Sequence, residues 1–368
     1  MLEQYFTKIK LEDNYTSAQI GAVILKNSET FPDLDKVQVA LLGFENSEGT
    51  QSSNAIRESF YQLTNPLLNQ YKVADLGNLR EGKSEEDTRA ALTDICTSLL
   101  QRGVLVLYLG GNVEQGDTLY NAFQNVKQSI EATLIAHNFP VKDYQLLNRM
   151  CTSSPNYLKN LNAIGFQAHF LTPKSLETFE NMRFGHMRLG LVKTQLEDTE
   201  LYVRDSALVL FDINAIKHYD APGKKTIQPN GLSSEETCQI TRYAGMSEAA
   251  QAFGIFGYEP ELDHRGVTAA LLAQMLWYYL DGYAHRAGDV PGKHDQFVKY
   301  RCDFSDDQVP ILFLKSKKTS RWWMQIEHPA EPDDSEKELS LPCSYFDYQM
   351  AANGETPQRY LDALKRLS

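Results

Sequence analysis

Short, uninterrupted apolar runs, each stopped by glycine or a small polar cluster, recur along this chain and limit its fold more than any other feature. Apart from Gln38, Val37 to Phe44 (VQVALLGF) has no polar side chain; Val104 to Leu109 (VLVLYL) and Ala207 to Phe211 (ALVLF) have no charged one. A strand with one wet face alternates apolar and polar residues, so strands without alternation must be covered on both faces. Helical segments separate the runs. Ser84, with Glu86 and Asp87 in the first turn, opens a helix to about Gln101 whose apolar face is set by Ala91, Ile95, Leu99 and Leu100, and Gly103 ends it. Ser233 with Glu236 reads as a capping box for a helix ending near Gly245, and Arg265 to Tyr283 reads as the longest helix, apolar on most sides and therefore buried. Strands alternating with helices at this spacing predict an α/β architecture with a mainly parallel sheet and helices on both faces.

Further elements follow the same logic. Helices are expected from about Asn54 to Leu63 and Asp117 to Val126, and one helical segment from Ser175 to Gly190. Strands are expected near Val73, ending at Asp75-Leu76-Gly77-Asn78, and over Ala132–Ala136, Leu161–Phe170 and Ala252–Tyr258. Residues 1–36 read as an N-terminal extension, 37–295 as the α/β domain and 296–368 as a C-terminal extension packed on the core. That extension contains two strands, ILFLKSKK and TSRWWMQIEH, an acidic loop, EPDDSEKE, and an amphipathic helix with Leu361, Leu364 and Leu367. Trp322 and Trp323 are either a partner surface or ordinary core and edge packing.

The net charge of −12, with no Lys/Arg-dense stripe, excludes nucleic acid and an anionic membrane surface as partners. The longest apolar stretch, Ala269 to Leu280, contains Gln274 and is shorter than the roughly 20 residues of a membrane span. The N-terminal MLEQYFTKIKLEDNYTSAQ has no basic segment leading into an apolar one, and the five cysteines are scattered without a C-x-x-C pair. A reduced, cytoplasmic protein is expected.

No G-x-G-x-x-G, G-x-x-x-x-G-K-[ST] or G-x-S-x-G motif is present. What recurs is polarity at strand ends, the place where open α/β sheets hold ligands. Asp212 stands at such an end, either capping the following turn or serving a site. The ends read Gly110-Gly111-Asn112-Val113, then Ala136-His137-Asn138, then Asp212-Ile213-Asn214 with Ala221-Pro222-Gly223, then Tyr258-Glu259-Pro260. In order and spacing this resembles the ureohydrolase family of arginase, agmatinase and formimidoylglutamase, over residues 37–285 and most strongly over Phe211 to Glu236. Ile164-Gly165-Phe166-Gln167 and Arg242-Tyr243-Ala244-Gly245 look closest to the formimidoylglutamase-like branch.

The resemblance implies a three-layer arginase-like fold with two manganese ions at the strand ends. There a metal-bridging hydroxide attacks the carbon of a guanidino or formimino group. Six side chains hold the ions in such proteins; the matching positions here are Val113, Ile135, His137, Phe139, Asp212 and Asn214, so only His137 and Asp212 keep a metal-ligand identity. The family's substrate-holding glutamate would fall near Gly257 or Tyr258, with Glu259 out of register. Two dications roughly 3–4 Å apart need several carboxylates. The expectation is a degenerate metal site in a protein that has lost hydrolysis and acts by binding or as a structural subunit. No catalytic residue is assigned and no cofactor is expected. The alternative is an active hydrolase of linear amidines, with manganese held by a rearranged set of Asp75, Glu114, Asp117, His137, Asp212 and Glu259. His137 also reads as a satisfied core histidine, and a metal-free site would have to draw on Cys151, His137 or His169. The family implies a possible homo-oligomer; the small-molecule or protein ligand stays open.

Overall fold

The structure, a computed structural model, describes residues 2–11, 14–45, 52–64, 70–139, 145–292, 296–304, 310–326 and 339–367. These form two compact units, Met1–Leu176 with Gly185–His285 and Glu177–Phe184 with Arg286–Ser368.

Among the described residues, the sheet of the first unit holds ten strands. They are β1 (Phe6–Thr7), β2 (Leu25–Lys26), β3 (Val39–Glu45), β4 (Val73–Arg80), β5 (Leu105–Leu109), β6 (Ile130–Ile135), β7 (Leu158–Phe166), β8 (His186–Arg188), β9 (Ser206–Asp212) and β10 (Ala252–Phe256). Eight run parallel in the order β4-β3-β5-β10-β9-β6-β7-β8. Short β1, antiparallel, and β2, parallel, pair with β4. Every residue of β5, β9 and β10 is buried, as their lack of alternation requires. Leu107, Val209, Phe211, Phe253 and Ile255 pack on one face with Ile56 and Phe60 of the helix Ser52–Gln62, Ile240 of the helix Ser234–Gly245, and Leu272 and Leu276 of the helix Val267–Ala284. On the other face, β9 and β10 meet the helix Gly116–Asn125 where Leu210 lies against Gly116 and Leu119 against Gly254.

Caps form where the sequence places them. Ser84 Oγ accepts from Asp87 N at 3.1 Å, and Ser233 with Glu236 makes the reciprocal capping box. A Cβ at Gly245 would collide with the Tyr279 carbonyl, so glycine lets the helices Ser234–Gly245 and Val267–Ala284 approach closely.

Three expectations need correction. The strand near Val73 does not stop at Asp75 but runs to Arg80, because Gly77 (φ +91°) forms a bulge against β3 rather than a turn. The segment from Ser175 to Gly190 is not one helix: the helix Pro173–Asn181 ends before Arg183 (φ +57°), and His186–Arg188 pairs with β7 as an edge strand. The strand expected over 161–170 starts at Leu158 and ends at Phe166, with a 3-10 turn at Ala168–Phe170.

The second unit contains an antiparallel sheet of β11 (Phe297–Cys302), β12 (Ile311–Ser316), β13 (Trp322–Ile326) and β14 (Leu339–Cys343), with helices Tyr345–Ala352 and Gln358–Leu367. Strands β12 and β13 are the two expected; Pro342 is tolerated because β14 is an edge strand. Trp322 packs among Phe313, Met324 and Tyr360, with Tyr348 stacked at 4.9 Å, whereas Trp323 joins Phe297 and Leu314 on the opposite face. Both tryptophans are buried packing residues. The acidic segment 331–338 and most of the polar loop after Phe44 lie outside the described residues. Among those described, no helix is long and apolar enough to cross a membrane, and no disulfide joins any of the five cysteines.

Candidate functional site

The carboxyl ends of four adjacent strands, β5, β10, β9 and β6, converge at the middle of the sheet. Gly257 N donates to Gly111 O at 2.6 Å and Glu259 N to Gly223 O at 2.9 Å, tying the ends of β5 and β10 to the Ala-Pro-Gly loop. The resulting cleft of about 570 Å³ is lined by Asn112, Val113, Asp212, Asn214, Tyr258 and Glu259 among others. Gly257 has φ +92°, a region that disfavours a side chain, so glutamate does not suit that register.

Asp212 both caps a turn and faces the site. Its Oδ1 accepts from Asn214 N at 2.9 Å and Asn214 Nδ2 at 2.8 Å, closing the turn Ile213–Ala215. Its Oδ2 lies 3.9 Å from His137 Nδ1, which has no hydrogen-bond partner. Burial, against the pull of the Asn214 bonds and the Lys224 charge, raises the Asp212 carboxyl to about 6. Burial, reinforced by Lys224, lowers His137 to about 4. The imidazole is therefore neutral at pH 7, and the 3.9 Å approach is a contact rather than an ion pair.

The three apolar residues at family ligand positions are packed. Val113 is buried in the 3-10 turn after β5, and Ile135 ends β6 against Ile164 and Phe211. Phe139 is fully buried, its ring edge-on to Phe166 at 4.8 Å.

The rearranged ligand set does not assemble. Asp75 is buried in its strand, bonded to Arg57 Nε at 2.7 Å and Tyr61 OH at 2.8 Å. Glu114 accepts from Leu146 N at 2.9 Å and Arg149 Nη2 at 3.2 Å, and Asp117 carries both Arg89 and Arg149. Glu259 does line the cleft, but pairs with Lys225 at 2.9 Å. Among the described residues, no three His, Cys, Asp or Glu side chains are grouped to hold a metal ion. A two-manganese centre does not fit this donor set. Nor does a cysteine site: burial raises the Cys151 thiol to about 11, and exposed His169 rests on Phe170.

Sequence reasoning passed over Lys224. It is 1% exposed, and its Nζ donates to Ile213 O at 3.0 Å and also to Ile216 O. Burial lowers its pKa to about 8 while Asp212 and Asp220 act to raise it. Its one signal was its position directly after Ala-Pro-Gly, beside an equally basic Lys225 that is exposed.

Comparison with known proteins agrees with the topology. The arginase family model matches residues 164–281. No match is found among curated proteins. Manganese-bound formiminoglutamase from Trypanosoma cruzi superposes with a TM-score of 0.62 at 16% identity, covering 73% of this chain and 99% of that one. Formimidoylglutamase from Bacillus subtilis gives 0.62 at 15% identity, covering 76% and 95%. Agmatine ureohydrolase from Thermoplasma volcanium gives 0.56 at 15%, covering 73% and 94%. Fold and match together make this an arginase-like chain of the ureohydrolase fold, with the family pattern in residues 164–281.

Proposed function

We propose that this protein has given up two-metal hydrolysis and acts by binding, with the strand-end cleft as its ligand site. One observation carries the reading: Val113, Ile135 and Phe139 are packed where ligands would be needed, while Asp75, Glu114 and Asp117 are each committed to arginine. Filling a vacated carboxylate cluster with apolar side chains removes both mutual repulsion and a desolvation cost. The cleft still has acidic lining in Glu81, Glu85 and Glu259 against Lys225, which favours a cationic ligand such as an amidine or amine.

The test is elemental analysis of protein expressed with excess manganese and then desalted, together with hydrolysis and calorimetric assays on formiminoglutamate, arginine and agmatine. The expected result is almost no metal, no turnover and saturable binding of a cationic compound. Nearly two manganese ions per chain together with turnover would overturn the reading and restore an active amidine hydrolase. The homo-oligomer implied by the family is tested separately by light scattering.

A further inference from the structure

Asp212 is 4% exposed, and a carboxylate so far from water requires a counter-charge or must give up its own. In a metal-loaded ureohydrolase site the counter-charge is the metal. Here His137 is neutral, Asn214 offers an amide, and Glu259 is held by the exposed Lys225. Among the described residues, the one buried cation whose charge acts on both Asp212 and His137 is Lys224. Its ammonium is fixed by the carbonyls of Ile213 and Ile216, at either end of the turn that Asp212 caps. Carbonyl oxygens beside a carboxylate are the donors a hard cation would choose, and here they already hold an ammonium.

We propose that Lys224 is a tethered cation that replaces metal charge at the strand ends, balancing Asp212 and closing the site to free divalent ions. This deepens the loss of the two-metal centre proposed above and rests on it. Lysine suits the role because its compact ammonium on a flexible stem can enter from the loop after Gly223, while its alkyl chain fills apolar space.

The experiment compares wild type, Lys224→Met, Asp212→Asn and the double variant by thermal unfolding and by electron paramagnetic resonance titration with manganese chloride. Stranding one of two opposite buried charges is costly whereas removing both is not, so each single change should lower Tm by roughly 5–15 °C and the double should recover much of that loss. Lys224→Met should gain binding of one manganese ion through Asp212, lost again in the double variant, while wild type binds none. If wild type itself takes up two ions, the loss of the metal centre is wrong. If wild type binds none, but the single losses simply add and Lys224→Met also binds none, only the tethered-cation role falls. Should Lys224→Met fail to fold, Asp212→Asn and the double variant decide. An Asp212→Asn protein as stable as wild type, or a double variant that also fails to fold, overturns the proposal.

Discussion

Replacing Phe139 tests most directly whether the strand-end site has been filled. The side chain is fully buried and its ring meets Phe166 at 4.8 Å. Phe139→Ala should cost about 3–5 kcal/mol from lost burial and the cavity left behind, including ~0.5–1.5 kcal/mol for the ring pair. At about 2–4 °C per kcal/mol for a unit of this size, Tm should fall by roughly 6–20 °C. Phe139→Asp carries the same loss plus a carboxyl group with no cation assigned to it. Burial should raise that carboxyl's pKa, so the extra penalty is small below the ordinary value of about 3.9 and grows as pH rises through the raised one. Melting curves near about pH 5 and about pH 8, with and without manganese, separate these terms. The Asp variant should melt below the Ala variant, and the gap should widen at the higher pH. An Asp variant at least as stable as the Ala variant at high pH, or one restored to wild-type Tm by manganese, would refute the filled-site account.

Other changes probe the surrounding charges. Asp117→Asn leaves Arg89 and Arg149 without their shared carboxylate; a stability loss of about 3–5 kcal/mol is expected in urea unfolding, with ligand binding in the cleft unchanged. For pH, His137 is depressed to about 4, so its contribution is complete above its ordinary 6.5 and is lost as pH falls through about 4. Asp212 is raised to about 6, so its contribution is complete below its ordinary 3.8 and is lost as pH rises through about 6. The two slopes oppose each other between these values. His137→Gln should therefore gain stability relative to wild type as the solution is acidified, and parallel pH profiles would contradict the assignment. Glu259→Gln should weaken agmatine binding by roughly 2–5-fold, more at low salt, because the group is only partly buried; no change by calorimetry would remove Glu259 from the ligand site.

The fold was legible where the chain dictates its own surroundings. Apolar runs without alternation, such as Ala207 to Phe211, fit only a doubly covered strand, and Ser84 and Ser233 carry local capping signals. What could not be read depends on partners distant in sequence. Asp75 looked like a strand end because Asp-Leu-Gly-Asn usually turns a chain; Arg57 and Tyr61, from a helix preceding the strand, instead hold it in the interior. Glu114 and Asp117 looked free to swing into the site, yet Arg89 and Arg149 draw them elsewhere. Lys224 and Lys225 are the same residue type in one loop. Only the turn after β9 distinguishes the buried one from the exposed one.

These charges divide the cleft into two electrostatic zones. At the strand ends, Asp212 and Lys224 sum to zero beside a neutral His137, and Val113, Ile135 and Phe139 add no charge. Toward solvent, Glu81 and Glu85 are exposed and Glu259 is partly so, where desolvation is small and repulsion is screened. The negative outer lining can attract a cation over roughly a Debye length without the inner end chelating it. An organic cation can satisfy itself at the outer carboxylates through hydrogen bonds. A small dication needs several anionic oxygens converging on one point, and the inner end of this cleft offers one carboxylate already balanced by an ammonium.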